Sequence, residues 1–325
     1  MTVGERVNSL PLDALYAELS RDGLVRRLFE LARDEDGANS DITTRLTRRD
    51  THPTMSARVR PRAPAVIAGV ASMPELAGVW GGEPSIAGMA RDGDEVAAGS
   101  VVATLTGPPG AVLGIERTLL NLMGRLSGIA TLTHRYVAEA RKGGPAKVCD
   151  TRKTTPGMRM LEKYAVRCGG GWLHRINLSD AVLIKDNHIA GLNHAALPEF
   201  VRRASDEARP RLGPAGFVEI EVDALDQLRA VLEHAADAID IALLDNMALE
   251  DMREAVRFRD DLAPRVELEA SGGIALETIA PVAETGVDRI AVGALTHQAT
   301  SIDIGLDIRG SDEPWARRSE ACAVS

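Results

Sequence analysis

Lysine is nearly missing from this sequence. Of 38 basic residues only five are lysine, and all five lie between Lys142 and Lys185. Arginine is a planar fork that stays charged, whereas lysine is a compact point charge that can lose its proton, so a chain rich in arginine that keeps lysine in one stretch marks that stretch for chemistry. Cysteine is equally scarce. Cys149, Cys168 and Cys322 are odd in number and lack CxxC spacing, which excludes a disulfide framework or a zinc site. They read as reduced thiols of a cytoplasmic protein, with Cys149 and Cys168 as packing residues. Long apolar runs are absent too. None approaches membrane-spanning length, and the first residues contain no apolar core of the length of a secretion signal. Nor is there an excess of positive charge: a net charge of −9 and a pI near 5.4 argue against general nucleic-acid binding.

What is present is a chain of 325 residues, 45% hydrophobic and 26% charged. That is ordinary for a soluble protein and long enough for two domains. Leu12 to Ala32 has helical spacing with a break near Asp22-Gly23, and the DEDGANSDIT stretch reads as a polar turn. From Arg58 to Thr106 apolar residues alternate between Gly and Asp turns, and GDEVAAGSVVATL reads as a small sandwich hairpin. Lipoyl and biotinyl carriers use such hairpins, but they need a lysine at the turn, and no lysine precedes Lys142. Gly114 to Lys142 predicts one or two long helices with an apolar stripe from Leu119 through Met123, Leu126, Ile129 and Thr133 to Tyr136 and Val137. Arg117 lies outside that stripe. Gly124, Ser127 and Gly128 would let another helix or a partner subunit approach closely.

From Ala146 onward short apolar runs alternate with helical segments. KVCD, AVLI, FVEIEV, DIALL, RVELEA and DRIAVG end at Asp150, Ile184, Val222, Leu244, Ala270 and Gly293. Intervals of roughly 25–35 residues suit βα units of a parallel sheet. Polar or glycine residues follow each run, and α/β barrels collect their chemistry at the carboxyl ends of strands. The stretch is short for an eight-stranded barrel of ~250 residues, so a reduced, partly open barrel is expected. Within it, Lys147 to His188 holds eight cations against four carboxylates in an otherwise acidic chain, which suggests a small, strongly anionic ligand.

These strand ends resemble quinolinate phosphoribosyltransferase, the decarboxylating nicotinate-nucleotide pyrophosphorylase family. The resemblance rests on ERTLLNLMGRLSGIAT, DTRKTTPGMRMLEKYAVRCGGGWLHRINLSD, IKDNHI, EIEVD, LLDN, EASGGI and DRIAVGALTH, and runs from about Leu24 to Leu306. It implies an α/β fold: an N-terminal α+β sandwich-like domain with dimerisation helices (1–128), an incomplete TIM-like α/β barrel (129–306) and a C-terminal tail (307–325). It also implies a cytoplasmic homodimer whose active site is shared, with Arg117 reaching into the neighbouring subunit. The implied reaction transfers phosphoribose from phosphoribosyl pyrophosphate to the ring nitrogen of quinolinate, with loss of CO₂, in NAD biosynthesis, and with Mg²⁺ as cofactor.

Roles then follow for individual residues. Arg152 and Arg175 would clamp the two carboxylates, since a guanidinium can bind a carboxylate through two parallel hydrogen bonds. His174 would donate to a carboxylate or phosphate oxygen, Thr151 to a substrate oxygen, and Lys153 and Lys185 would contact the quinolinate and pyrophosphate oxygens. Glu221 and Asp245 would hold the ribose hydroxyls and Mg²⁺, which takes one or two carboxylates plus phosphates and waters. Glu219 points to the same side of its strand as Glu221 but is expected to be too buried to serve. Ser271, Gly272, Gly273 and Gly293 would form the phosphate site, aided by following helix N-termini. Asp180, Asp186, Asn187 and His188 would orient Arg175 and Lys185. No general acid is required, because the ribosylated ring nitrogen stabilises the carbanion left by decarboxylation. Three alternatives remain at this point: a related enzyme acting on another pyridine acid, a Schiff-base aldolase using Lys153 or Lys185, and a regulatory nucleotide-binding homologue.

Overall fold

The computed structural model describes residues 5–37, 41–47, 54–81, 84–213 and 216–308. The chain begins with four helices: α1 (Glu5–Asn8), α2 (Leu12–Ser20), α3 (Leu24–Asp36) and α4 (Ile42–Thr47). The expected break falls where Gly23 takes φ 71°, which only glycine adopts cheaply. Helix α3 continues to Asp36, so part of the expected polar turn is helical.

The sheet domain then runs through β1 (Met55–Pro61), β2 (Ala65–Val66), α5 (Met73–Val79), β3 (Ser85–Gly88), β4 (Glu95–Val96) and β5 (Ala103–Gly107). The hairpin expected within GDEVAAGSVVATL is not formed. β4 pairs with β2, while β5 is sandwiched between β1 and β3, all antiparallel. Alternation identified the strands, but their partners are remote in sequence.

Helix α6 (Pro109–Gly143) is a single helix of 35 residues. Pro109 at its first turn suits the fixed φ of proline, and Gly143-Gly144-Pro145 ends it. Its stripe from Leu119 to Val137 is buried as the spacing predicts. The seam expected between residues 128 and 129 lies inside this helix. Gly124 and Gly128 do admit a close neighbour: a Cβ at either would run into the backbone of Ile302 or Thr300 of the same chain. Ser127 binds the backbone of Ala68.

The remaining elements alternate: β6 (Lys147–Cys149), α7 (Arg159–Cys168), β7 (Val182–Ile184), α8 (Asp186–Ile189), α9 (Leu197–Ala208), β8 (Val218–Val222), α10 (Leu225–His234), β9 (Ile241–Asp245), α11 (Leu249–Leu262), β10 (Glu267–Ser271), α12 (Ile279–Ala283), β11 (Arg289–Ala291) and α13 (Ala294–His297). All pairings in this six-stranded sheet are parallel, in the order β6-β11-β10-β9-β8-β7. Strands β6 and β7 are not paired with each other, so the barrel is incomplete; a single bridge from Cys149 to Trp172 extends the β6 edge. Strand β12 (Ile304–Ile308) does not stay with the barrel. It pairs antiparallel with β1, so residues 307–308, expected to begin a tail, close the N-terminal sheet. The rest of the expected tail lies outside the described residues.

Candidate active site

Each parallel strand delivers its last residues to the same end of the barrel. The Thr151–Lys153 loop follows β6, Lys185 follows β7, Glu221 sits on β8, Asp245 ends β9, Ser271 ends β10 and Gly293 follows β11. These residues, with His174, Arg175, Gly272 and Gly273, line one cleft of about 810 Å³. That is within the range of pockets for small ligands. Arg117 is not among them. It lies on α6 beside a second, smaller hollow of about 450 Å³, lined also by Leu28, Glu35 and Arg125.

The cationic side of the cleft is unusual in being unpaired. Arg152, Lys153 and Arg175 make no ion pair with a carboxylate among the described residues, and the buried Nε of Arg152 has no hydrogen-bond partner. Arg175 is buried and reaches only the Ala181 carbonyl, at 3.5 Å. Burial, then the neighbouring Arg152 guanidinium, pull its pKa below the ordinary arginine value. Like charges placed together without a counter-ion in the protein are arranged for an anion from outside.

Behind these arginines stands a braced frame. Lys163 of α7, fully buried, donates to both oxygens of fully buried Asp150 at 2.7 and 2.6 Å. Asp150 also accepts the His174 backbone N–H. Glu162, the preceding residue, accepts from Thr155 and from Arg125, whose guanidinium also reaches the Thr296 and Ala299 carbonyls. Thr296 Oγ1 donates to the Lys153 carbonyl at 2.7 Å, which ties the cationic loop to α13. Gly169 and Gly171 have no room for a side chain, because a Cβ on either would strike α6 or α7; the GGG run is needed to thread this segment towards His174.

His174 lines the cleft and has protein neighbours of its own. Its Nε2 lies 2.8 Å from Glu219 and 3.4 Å from Glu269, and its Nδ1 accepts the Arg175 N–H. Nδ1 is thus taken by the protein, while Nε2 stands beside two carboxylates without a hydrogen-bond partner among the described residues. Burial alone would lower the His174 pKa, but the Glu219 and Glu269 carboxylates outweigh it and the net shift is upward. Burial pushes the Glu219 carboxyl up as well, against the pull of His174. Glu219 is fully buried, while Glu221 two residues on faces the cleft.

Lys185 donates to Glu221 at 2.7 Å, so it meets a protein carboxylate here and not a free anion site. Asp180 accepts the Ile176 and Asn177 N–H groups, bracing the loop after Arg175, and the His188 ring accepts the Lys185 N–H. Among the described residues Asp186 accepts the Asn187 N–H and makes no bond to Lys185. Gly272 and Gly273 have φ of 96° and 61°, conformations that need glycine. Gly293 is different: its φ of −64° suits any residue. A Cβ there would stand 2.9 Å from Lys153 Cδ and 3.2 Å from His297 Nε2, so this glycine makes room for side chains. The helix termini expected beside these turns are minor features, since α12 starts six residues after Gly273 and α13 has four residues.

Glu221 and Asp245 fit a magnesium ion in donor chemistry. Both are cleft carboxylates at neighbouring strand ends, and neither is fully buried. His174, Glu219 and Glu269 also converge, with buried Arg289 paired to Glu269. Residues not singled out from sequence also line the cleft, among them Tyr136, Asn246, His297 and Gln298. His297 could have been found: it stands four residues after Gly293 in DRIAVGALTH, hence on the same side of a helical turn. Cys149 and Cys168 are buried free thiols. No helix of the described residues is long and apolar enough to cross a membrane.

The family descriptions "Quinolinate phosphoribosyl transferase, N-terminal domain" and "C-terminal domain" match residues 41–127 and 129–307. The chain is 42% identical to nicotinate-nucleotide pyrophosphorylase (carboxylating) of Mycobacterium leprae over 295 residues, 90% of this chain and 98% of that one. It is 39% identical over 286 residues to a probable enzyme of that name from Methanothermobacter thermautotrophicus, covering 86% and 97%. The structure of the nicotinate-nucleotide pyrophosphorylase from Francisella tularensis superposes with a TM-score of 0.79 at 35% identity, over 93% of this chain and 99% of that one. The unpaired arginines, the opposed carboxylates and the glycine turns thus stand on a scaffold shared along nearly its whole length, and the chain belongs to the quinolinate phosphoribosyl transferase family.

Proposed function

We propose that this enzyme transfers phosphoribose from phosphoribosyl pyrophosphate to the ring nitrogen of quinolinate and releases CO₂ and pyrophosphate, giving nicotinate mononucleotide. The observation that carries this reading is the unpaired cationic wall, Arg152, Lys153 and Arg175, facing Glu221 and Asp245 across one cleft. Quinolinate carries two adjacent carboxylates, and two guanidinium forks side by side complement them. Lys153 and the Ser271-Gly272-Gly273 turn supply donors for phosphate oxygens on the opposite side, and Glu221 and Asp245 accept the ribose hydroxyls.

Fixed charges of this kind act mainly by being in place before the substrate arrives, so no solvent has to reorganise as charge moves. Arg175 holds the carboxylates so that the ring nitrogen faces the anomeric carbon. Lys185 can leave Glu221 for an incoming anion, exchanging one ion pair for another. A magnesium ion on Glu221 and Asp245 would supply charge neutralisation to the pyrophosphate leaving group. After transfer the ring nitrogen is cationic, and the carbanion left by CO₂ loss is stabilised by the substrate itself.

The assembly in this reading is a cytoplasmic homodimer in which Arg117 completes the neighbour's site. Its side chain is 65% exposed, lies outside its own cleft, and has only a long 3.9 Å contact with Glu116. The aldolase alternative finds no support, since Lys185 is paired with Glu221 and the family is a different one.

The test is substrate preference. Nicotinate lacks one of the two carboxylates, and hydrogen bonds to a charged group contribute about 1.5–3 kcal/mol each. Quinolinate should therefore be preferred at least 100-fold in kcat/KM for mononucleotide formation, and Arg175→Ala should remove most of that preference with an unchanged circular dichroism spectrum. Equal use of both acids by the wild type would overturn the reading.

A further inference from the structure

We infer that Asn246 is a positioning residue for Asp245, seated in a notch that exists because residue 272 is glycine. The inference rests on the reading of Asp245 as a carboxylate that faces the phosphoribosyl substrate.

The backbone comes first. Asn246 is the non-glycine residue with positive φ (53°) among the described residues. Asparagine tolerates this conformation better than most residues, but glycine tolerates it fully and aspartate nearly as well as asparagine. The backbone alone therefore does not select asparagine. The side chain does what neither of the others can do. Its Nδ2 donates to Asp245 Oδ2 at 2.7 Å, and no other group among the described residues donates to that carboxylate. Asp245 is thus oriented by one amide.

The amide is in turn held from the neighbouring strand. Asp245 and Ser271 are register partners at the ends of β9 and β10. One step beyond, the Asn246 N–H donates to the Ser271 carbonyl at 2.9 Å. At Gly272, where φ is 96°, a Cβ would run into Asn246 Oδ1 and would lie 2.9 Å from the Asn246 nitrogen. The missing side chain at 272 is the space that the Asn246 amide occupies. A single residue therefore joins the end of β9 to the glycine turn of β10 and aims the carboxylate between them. Asn246 itself need not touch the substrate. It leaves Asp245 Oδ1 open to the cleft while Oδ2 is fixed.

The test compares Asn246→Gly and Asn246→Asp with Asp245→Asn as reference. Both Asn246 variants keep a residue suited to the left-handed backbone, so melting temperatures should stay within about 2 °C of wild type. Both remove the donor, and Asn246→Asp sets a second negative charge beside Asp245. Loss of a group that orients a functional carboxylate costs about 10–100-fold. We expect that loss in kcat/KM for phosphoribosyl pyrophosphate, expressed largely as a higher KM for that substrate, with the quinolinate KM within threefold of wild type. General damage to the fold would move both KM values together. Wild-type kinetics in both Asn246 variants, with Asp245→Asn impaired, would overturn the inference and leave the role of Asp245 standing. An Asp245→Asn variant as active as wild type would overturn the role of Asp245 and the inference with it.

Discussion

Replacing Lys163 by methionine isolates one interaction of the frame. Lys163 and Asp150 are fully buried, and the ammonium donates to both carboxylate oxygens at 2.7 and 2.6 Å. Methionine keeps the length of the stem and removes the charge. Asp150 is then left in the interior with the His174 N–H as its remaining donor. Removing one partner of a buried pair costs about 3–5 kcal/mol, because the other charge stays desolvated and uncompensated. At about 2 °C per kcal/mol for a chain of this size, the melting temperature should fall by roughly 6–10 °C. Asp150→Asn should cost a similar amount by stranding the ammonium. The double variant Asp150→Asn/Lys163→Met strands neither, so it should be less destabilised than the sum of the singles by at least about 2 kcal/mol. Urea unfolding followed by circular dichroism gives all four corners of the cycle. A Lys163→Met variant within about 1 kcal/mol of wild type, or a double variant equal to the sum, would refute the reasoning.

Other residues give separate tests. Gly293→Ala should leave stability within about 1 kcal/mol, since the obstructed atoms belong to side chains, yet lower kcat/KM at least tenfold by displacing Lys153, whose Cδ the new Cβ would meet at 2.9 Å; unchanged kinetics would show that the slot is not needed. Burial pushes the Cys149 and Cys168 thiols well above their ordinary pKa, so peptide mapping after native iodoacetamide treatment should find both unmodified. Rapid labelling of either before unfolding would contradict that burial. His174 and Glu219 are both shifted upward, so the folded chain holds protons that the unfolded chain releases. Their stabilisation is complete below the ordinary values of 6.5 and 4.5 and is lost as pH rises through the raised ones. Wild-type stability should therefore fall as pH rises above 6.5 more steeply than that of Glu219→Gln, and parallel profiles would refute this.

The parts of the molecule that were legible in the sequence are those set by local pattern. Six apolar runs, each ended by polar or glycine residues, placed the strand ends of the barrel within two residues of where they lie, and the stripe from Leu119 to Val137 marked the buried face of α6. Because strand ends converge in a parallel sheet, naming them also named most of the cleft lining. What could not be read is non-local. Strand β4 pairs with β2 and β12 with β1, across intervals that no periodicity reports. His174 looked like a ligand for an anion because it stands next to Arg175. The neighbours of its Nε2, Glu219 and Glu269, come from two other strands, and only the folded sheet brings them to its ring. Gly293 was expected in the phosphate site with Gly272 and lines the cleft, but its backbone is ordinary, and that a Cβ there would meet Lys153 is not legible from a local pattern. Asn246 carries no expectation from sequence, since neither its positive φ nor the notch at Gly272 leaves a trace in composition.

The central claim is that the unpaired arginines and the opposed carboxylates bring two polyanions together for transfer and decarboxylation. Incubating the protein with quinolinate, phosphoribosyl pyrophosphate and magnesium, and quantifying both CO₂ and nicotinate mononucleotide, tests it most directly. Equal amounts of the two products are expected, with neither formed when phosphoribosyl pyrophosphate is left out. No product at saturating substrates, or a nucleotide that keeps both carboxylates, would contradict it.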